Sequence, residues 1–184
     1  MKRIILTMII VLGLSGLSMA QNLKDTENKT ISKNLNMDFH VSEYQEDFGL
    51  GISAASPYFV YDRIAIRMRG NLMYNQIVSE NESTWEPYLN ISLGLIGVAR
   101  EIEGFMRLYG EGGPIMLFPS GAFSSKDYLF GGYGLFGFEF YISENFNYHI
   151  EIGSVGTGAR EDKIQNKPIY SNGMLINTGF RMHF

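Results

Sequence analysis

Three histidines, each separated by one residue from a charged side chain, are the groups in this sequence best suited to chemistry. An imidazole beside a carboxylate or another imidazole can bind a metal ion or respond to protonation near neutral pH. If the three segments lie side by side, the histidines come close together and form a proton-sensitive or metal-binding cluster. The pairs are Asp38 with His40, His149 with Glu151, and Arg181 with His183.

A second interpretation follows from the other charges at alternating positions, which are Arg63, Arg67, Arg69, Arg107, Glu111 and Glu139. Charges of both signs are therefore general along one face of the predicted strands. Buried charges cost several kcal/mol when they lack a partner, so such a face is expected to pair internally. We predict that these six residues and the three histidine pairs form one polar network inside the protein, without a metal ion, a cofactor or a catalytic residue.

Composition excludes several classes of protein. The 184 residues contain no cysteine, which rules out disulfides and thiolate metal sites, and the net charge is −4. An acidic chain without a basic stripe is not expected to bind nucleic acid. The 21 glycines, the 14% aromatic residues and only 5 prolines favour an all-β fold.

The N-terminus has the pattern of an export signal. Lys2 and Arg3 precede the apolar run 4–14, and Ser18-Met19-Ala20 offers small residues before a cut at Gln21. The run is too short to span a membrane as a helix. We therefore predict a cleaved signal peptide over residues 1–20, followed by a flexible polar segment over residues 21–35.

From residue 36 onward the chain repeats one unit, an alternating apolar and polar segment followed by a turn. This period of two is typical of strands with one apolar face. Eight such strands are predicted near 36–44, 47–56, 62–78, 86–99, 103–118, 128–142, 145–157 and 170–184. The connections after the fourth and sixth are short, whereas those after the third, fifth and seventh are longer and polar. This asymmetry predicts an antiparallel, up-and-down barrel with short turns at one end.

The apolar face is assigned to the outside of this barrel. It is large and aromatic on nearly every strand, more than the narrow lumen of eight strands can hold, and the opposite face is rich in glycine, serine and asparagine. Aromatic residues also gather at strand ends, as in the interfacial girdles of membrane barrels. They are Tyr58, Phe59, Tyr61, Phe140 and Tyr141 at one end, and Tyr74, Trp85 and Tyr128 at the other. The sequence thus predicts a transmembrane β-barrel over residues 36–184.

Residues 177–184, NTGFRMHF, resemble the C-terminal recognition signal of outer-membrane β-barrel proteins. Asn177, Gly179, Met182 and Phe184 match the polar, glycine, hydrophobic and terminal aromatic positions of that signal. As a whole, residues 36–184 resemble the small eight-stranded barrels of the outer-membrane-protein A and X type. The resemblance implies outer-membrane lipid as the surroundings, and the barrel-assembly machinery and periplasmic chaperones as partners during biogenesis.

The function expected from this resemblance is a non-enzymatic structural or surface-interaction role in the cell envelope. A narrow pore for small solutes is one alternative, and a soluble secreted barrel that binds an apolar ligand is another. Some barrels of this size are lipid A deacylases, which place a His/Ser pair on the lipid-facing wall. All three histidines here are predicted to point inward, so that resemblance fails at its critical residues.

Overall fold

The computed structural model describes residues 34–45, 47–78, 83–102, 104–143 and 145–184, which form a closed barrel of eight strands. The predicted signal peptide 1–20 and residues 21–33 of the polar segment lie outside the described residues. The strands are β1 (Asn36–Tyr44), β2 (Phe48–Ala55), β3 (Ile64–Val78), β4 (Ser83–Ile102), β5 (Met106–Phe118), β6 (Leu129–Tyr141), β7 (Phe146–Gly156) and β8 (Gly173–His183).

Each strand pairs antiparallel with its sequence neighbours, and β1 closes the ring by pairing with β8. In that closing register Asn36 is opposite His183 and Tyr44 is opposite Leu175. The prediction of an all-β, up-and-down, eight-stranded barrel is confirmed. None of the described residues forms a helix that is long and apolar enough to cross a membrane.

Because successive side chains of a strand point to opposite faces, one face of each strand lines the lumen and the other forms the outer surface of the barrel. Apolar side chains point outward and remain open, with Ile52 64% and Phe136 73% exposed, whereas Asn90 and Glu139 are completely buried inside. The predicted assignment of the apolar face to the outside is confirmed in β1 and β2, from Ile64 onward in β3 and over residues 88–96 of β4. The barrel is therefore polar within and apolar on its surface, the reverse of a soluble β-protein.

The two ends of the barrel differ. We call the end that carries Asn36 and His183 the terminal end, and its connections are residues 56–63, 103–105 and 142–145. We call the opposite end the loop end, where residues 45–47, 79–82, 119–128 and 157–172 connect the strands. The two longest connections, after β5 and β7, lie together at the loop end, as the sequence indicated. The connection after β3 was also expected to be long, but it has four residues, fewer than the eight of 56–63 at the terminal end.

The turn between β2 and β3 corrects one predicted position. Val60, Tyr61 and Asp62 have positive φ angles of 50°, 57° and 58°, a left-handed conformation that interrupts the strand. Arg63 follows in the same turn, where its amide donates to the Val60 carbonyl oxygen at 3.2 Å and its side chain is exposed. Arg63 is thus outside the lumen, because the alternation of β3 begins only at Ile64.

Aromatic clusters lie on the outer wall at both ends. At the loop end Phe48 stacks on Tyr74 at 5.4 Å and meets the Trp85 ring at 5.0 Å. At the terminal end Tyr148 lies between the rings of Phe140 and Phe180, at 6.4 and 5.5 Å. One cluster thus marks the edge of the apolar wall at the loop end, and the other marks its edge at the terminal end.

Two of the aromatic residues predicted for the outer girdle belong to the mouth of the lumen instead. Tyr58 is buried, and the Arg107 guanidinium lies 4.7 Å from the centre of its ring. The hydroxyl of Tyr141 donates to Glu101 at 3.0 Å, and Arg107 lies 5.9 Å from the centre of that ring. Both rings thus surround a buried guanidinium, which is a favourable cation–π arrangement.

Gly179 occupies an inward position of β8 beside β1. It is paired with His40 on one side and His149 on the other, and the centroids of the two imidazole rings are 6.4 Å apart. A Cβ atom at this position would lie 2.2 Å from the Phe39 carbonyl oxygen, well inside van der Waals contact. Glycine is therefore required here by the packing of β1 against β8.

We expect Gly179→Ala to lower the free energy of unfolding by about 1–3 kcal/mol, because the seam must open to admit the methyl group. The matched control is Gly156→Ala on β7, where a Cβ meets no atom within 4 Å. Urea unfolding of barrels refolded in detergent measures both variants. Equal stability of Gly179→Ala and the control would show that close packing does not require a glycine at position 179.

Candidate functional site

The barrel interior brings eleven of the twelve residues of the predicted network into the lumen. They are Asp38 and His40 on β1, Arg67 and Arg69 on β3, Arg107 and Glu111 on β5, Glu139 on β6, His149 and Glu151 on β7, and Arg181 and His183 on β8. All eleven are buried, and Arg63 is the exception described above. We call these eleven residues the lumen network.

Glu151 is the centre of the lumen network. Its carboxylate accepts hydrogen bonds from Arg67 at 2.6 Å and Arg69 at 2.8 Å. It also accepts from the Tyr109 hydroxyl at 2.6 Å and from the Asn177 amide at 2.9 Å. Four donors from three other strands satisfy this buried carboxylate, as its ionised form requires.

Glu111 is the second acceptor for the same two arginines. Its carboxylate lies 2.8 Å from Arg67 and 3.3 Å from Arg69, and it accepts the Tyr133 hydroxyl at 2.6 Å. Arg67 and Arg69 therefore bridge β5 and β7 from β3, across the full width of the lumen. Multiple contacts between opposite strands make the lumen a packed polar core.

Arg181 organises the part of the network towards the terminal end. It donates to Glu139 at 2.8 Å and to Asp38 at 3.3 Å, and it lies over the Tyr109 ring at 5.5 Å. Glu139 also accepts the Asn147 amide at 2.8 Å. Each carboxylate in this region is thus held by at least one charged or amide donor.

Arg107 lies beyond this cluster, at the terminal mouth. It donates twice to Glu101, at 2.6 and 2.9 Å, while the side chain of Glu101 is 53% exposed. With the Tyr58 and Tyr141 rings against it, this guanidinium covers the terminal end of the lumen.

The three histidines do not form one cluster. His40 bonds Asp38 at 2.9 Å and Asn71 at 2.7 Å, and its ring contacts His149. His183 lies apart, 2.6 Å from the Asn147 amide and 3.5 Å from Glu139. The structure therefore supports the paired-charge interpretation, and within the described ranges no three metal-binding side chains are grouped to hold a metal ion.

The loop end of the lumen is filled by side chains from the two long connections. Phe123 and Tyr170 pack edge-to-face at 4.9 Å and both contact the Tyr88 ring, at 6.2 and 5.4 Å. We call Phe123, Ala159, Glu161, Tyr170 and Ser171 the loop plug, and all five are buried. Burial raises the pKa of Tyr170 to about 12, so this ring remains a neutral phenol at physiological pH.

Polar contacts fix the loop plug to the strands. Asp47 accepts the Tyr88 hydroxyl at 2.6 Å and the Ser171 amide at 2.7 Å. Asn75 of β3 donates to Glu161 at 2.8 Å. The plug is therefore bonded to the wall of the barrel on more than one side.

The four residues of the predicted terminal signal divide between the two faces of β8. Asn177 points inward, where it accepts from Ser42 at 2.7 Å and donates to Glu151, and Gly179 lies beneath the two histidine rings. Met182 and Phe184 point outward and are 43% and 65% exposed. The polar and glycine positions of this motif thus have structural partners inside the barrel.

Several members of the interior were not identified from the sequence. Tyr109 joins Glu151 and Arg181, and Asn71 links His40 to Asn90 through a 2.7 Å hydrogen bond. Their inward phase was visible, but uncharged side chains gave no reason to single them out. Phe123 and Tyr170 lie in loops, where strand alternation carries no information.

The described residues thus define a class, an up-and-down barrel of eight strands with an apolar wall and a closed polar interior. No protein-family model matches the chain, and no curated protein matches it either. Solved structures do share the fold, and they are outer-membrane β-barrels, so the resemblance proposed from the sequence is confirmed at the level of fold.

Three of these structures are similar over most of the chain. The N-terminal β-barrel domain of Pseudomonas aeruginosa OprF aligns with a TM-score of 0.56 and 13% identity, covering 83% of this chain and 98% of that one. Pseudomonas aeruginosa OprG gives 0.54 and 14%, covering 87% and 99%. Escherichia coli outer membrane protein W gives 0.51 and 10%, covering 83% and 98%.

We expect Glu151→Gln to lower the free energy of unfolding by about 3–5 kcal/mol, because two buried guanidinium groups lose one of the two carboxylates that they share. The control is Glu43→Gln on the outward row of β1. This substitution should change the free energy of unfolding by about 0.5 kcal/mol at most. Guanidinium or urea unfolding in detergent measures both. Similar small effects for the two variants would mean that the lumen network contributes little to stability.

Proposed function

We propose that the protein is an integral outer-membrane β-barrel with a non-enzymatic structural or surface-interaction role. The observation that carries this proposal is the outer wall, where large apolar side chains stand exposed around the whole ring. Examples are Phe39, Leu50, Ile66, Leu93, Phe138 and Phe180, each between 36% and 52% exposed. A soluble protein rarely exposes apolar area on this scale, whereas a membrane barrel requires it.

The height of the apolar wall fits a bilayer. On β6, Phe130 marks the loop end and Phe140 marks the terminal end, ten residues apart. Ten residues at ~3.3 Å each, tilted by about 40°, rise roughly 25 Å, which is the height of the apolar band of outer-membrane barrels. Aromatic rings at both levels match the interfacial regions of a membrane.

The filled interior supports a sealed barrel over a pore or a ligand carrier. The lumen network spans the cross-section from β3 to β5 and β7, and the loop plug occupies the mouth beyond it. The terminal mouth is covered by Arg107 and its aromatic neighbours. These buried groups support a closed lumen, and we therefore assign the function to the outer wall and the connections.

The orientation and the biogenesis partners are part of the proposal. A cleaved leader places the terminal end in the periplasm, which leaves the long connections 119–128 and 157–172 on the cell surface. Met182 and Phe184 are presented on the outer wall of β8. This supports recognition of the motif by the barrel-assembly machinery, after delivery by periplasmic chaperones.

We expect Ile66→Arg to lower the free energy of unfolding by about 1–3 kcal/mol in lipid vesicles, because it places a charge on the outer wall between the middle of β3 and the terminal end, where the cost is smaller than at the bilayer midplane. Tyr61→Arg, at a residue that is 93% exposed in the β2–β3 turn, is the control and should be neutral. Heat-modifiable migration of membrane fractions reports the folded barrel. Recovery of wild-type protein in the soluble fraction, or full tolerance of Ile66→Arg, would contradict the membrane assignment.

We expect the wild-type protein to give no regular single-channel steps in planar bilayers, since charge pairs and the loop plug fill the lumen. A Phe123→Ala and Tyr170→Ala double variant tests whether the lumen network alone keeps the barrel closed, and it should also be silent. Detergent without protein is the control. Reproducible steps from the wild type would favour a pore for small solutes.

A further inference from the structure

Gly70, in the middle of β3, leaves a gap in the outer wall. A row of four outward-facing residues crosses β1 to β4, each paired with the next in register: Phe39, Ile52, Gly70 and Ile91. A Cβ atom at Gly70 would meet nothing within 4 Å, so the position is open space. One missing side chain thus leaves a gap between bulky neighbours.

This gap is part of a groove of about 390 Å³ on the surface of the barrel. Its sides are formed by Phe39, Leu50, Ile52, Leu72, Leu89 and Ile91, and its floor includes the backbone beneath Gly70. Ile52 and Leu89, on opposite sides, are 64% and 53% exposed and stand up as ridges. The groove is therefore lined by apolar side chains.

An aromatic cluster stands above the groove on the same strands. Phe48, Tyr74 and Trp85 belong to β2, β3 and β4, and Tyr74 is four residues from Gly70 towards the loop end. Aromatic rings with a polar edge favour the headgroup level of a bilayer. A molecule with a polar head at this cluster would direct its apolar part down the groove.

We propose that the groove binds one acyl chain of a bilayer lipid in the leaflet nearer the loop end. This inference rests on the proposed membrane location, because only then is the wall surrounded by lipid. A gap without partner atoms forfeits dispersion contacts, and a flexible chain is the neighbour able to fill a gap one side chain wide. A stable contact with another protein needs roughly 20–30 residues on each side, more than this groove offers.

The test compares Gly70→Leu, which fills the groove, with Gly97→Leu on the same wall. A Cβ atom at Gly97 would also meet nothing within 4 Å, and Gly97 is outside the groove, so both variants should fold. The protein is reconstituted in vesicles of dioleoyl phosphatidylcholine and transferred to excess detergent. Native mass spectrometry then counts the lipids that each barrel retains.

We expect one retained phosphatidylcholine on the wild type and on Gly97→Leu, and loss of that adduct on Gly70→Leu. Equal retention by Gly70→Leu and the wild type, or no retained lipid on any of them, would overturn the groove as a lipid site. A dimer mass that only Gly70→Leu abolishes would assign the groove to a second copy of the chain and overturn it as well.

The same samples separate failure of this inference from failure of the proposed function. Trp85 is the single tryptophan of the chain, so its fluorescence reports contact with vesicles that contain acyl-brominated phosphatidylcholine. Quenching in all three proteins with unchanged lipid retention leaves the membrane assignment intact and rejects the groove. Absence of quenching in all three rejects both.

Discussion

Pairing of β1 with β8 is the constraint on which the rest of this structure depends. It joins Asn36–Tyr44 to Leu175–His183 and leaves the sheet without an edge. Once the ring is closed, the pleat assigns every residue to the lumen or to the wall. The close approach at Gly179 and the contact between the His40 and His149 rings exist only because this seam is tight.

A lumen this narrow also dictates how its charges are arranged. Arg67, Arg69 and Arg181 are buried, so each needs carboxylates from other strands of the ring. Glu111, Glu139, Glu151 and Asp38 provide them, with tyrosine hydroxyls and asparagine amides as further donors. The network therefore acts as a polar core, in the place that aliphatic side chains take in a soluble barrel.

Much of this arrangement could be predicted from the sequence, because a period of two identifies the face of every regular strand. Eight strands, the apolar wall and eleven of the twelve network residues follow from it. Two predictions failed in the connection 56–63, which contains the left-handed turn. Arg63 had been included in the alternation of the third strand, and Tyr58 had been assigned to an outer girdle because it is an aromatic residue at a strand end. Partners such as Glu151 with Arg67, 84 residues apart, depend on register around the whole ring.

The loop plug and the groove at Gly70 could not be predicted for the same reason. Phe123 and Tyr170 meet Tyr88 only after two connections have folded back into the mouth. The gap at Gly70 becomes a groove only because Ile52 and Ile91 are its lateral neighbours, which no single strand reveals. Local pattern determines which way a side chain points, whereas long-range pairing determines what it meets.

On the proposed membrane location, the partners of Arg67 and Arg69 constrain the route by which the chain enters a bilayer. Both arginines are on β3, but their carboxylates are on β5 and β7. A β3–β4 hairpin that inserted alone would carry two guanidinium groups into hydrocarbon without a counter-charge, a step opposed by the cost of an unpaired ion there. For a membrane-inserted barrel this cost favours joint insertion of the strands from β3 to β7 over stepwise insertion of hairpins, with the inner faces of the strands already turned towards one another.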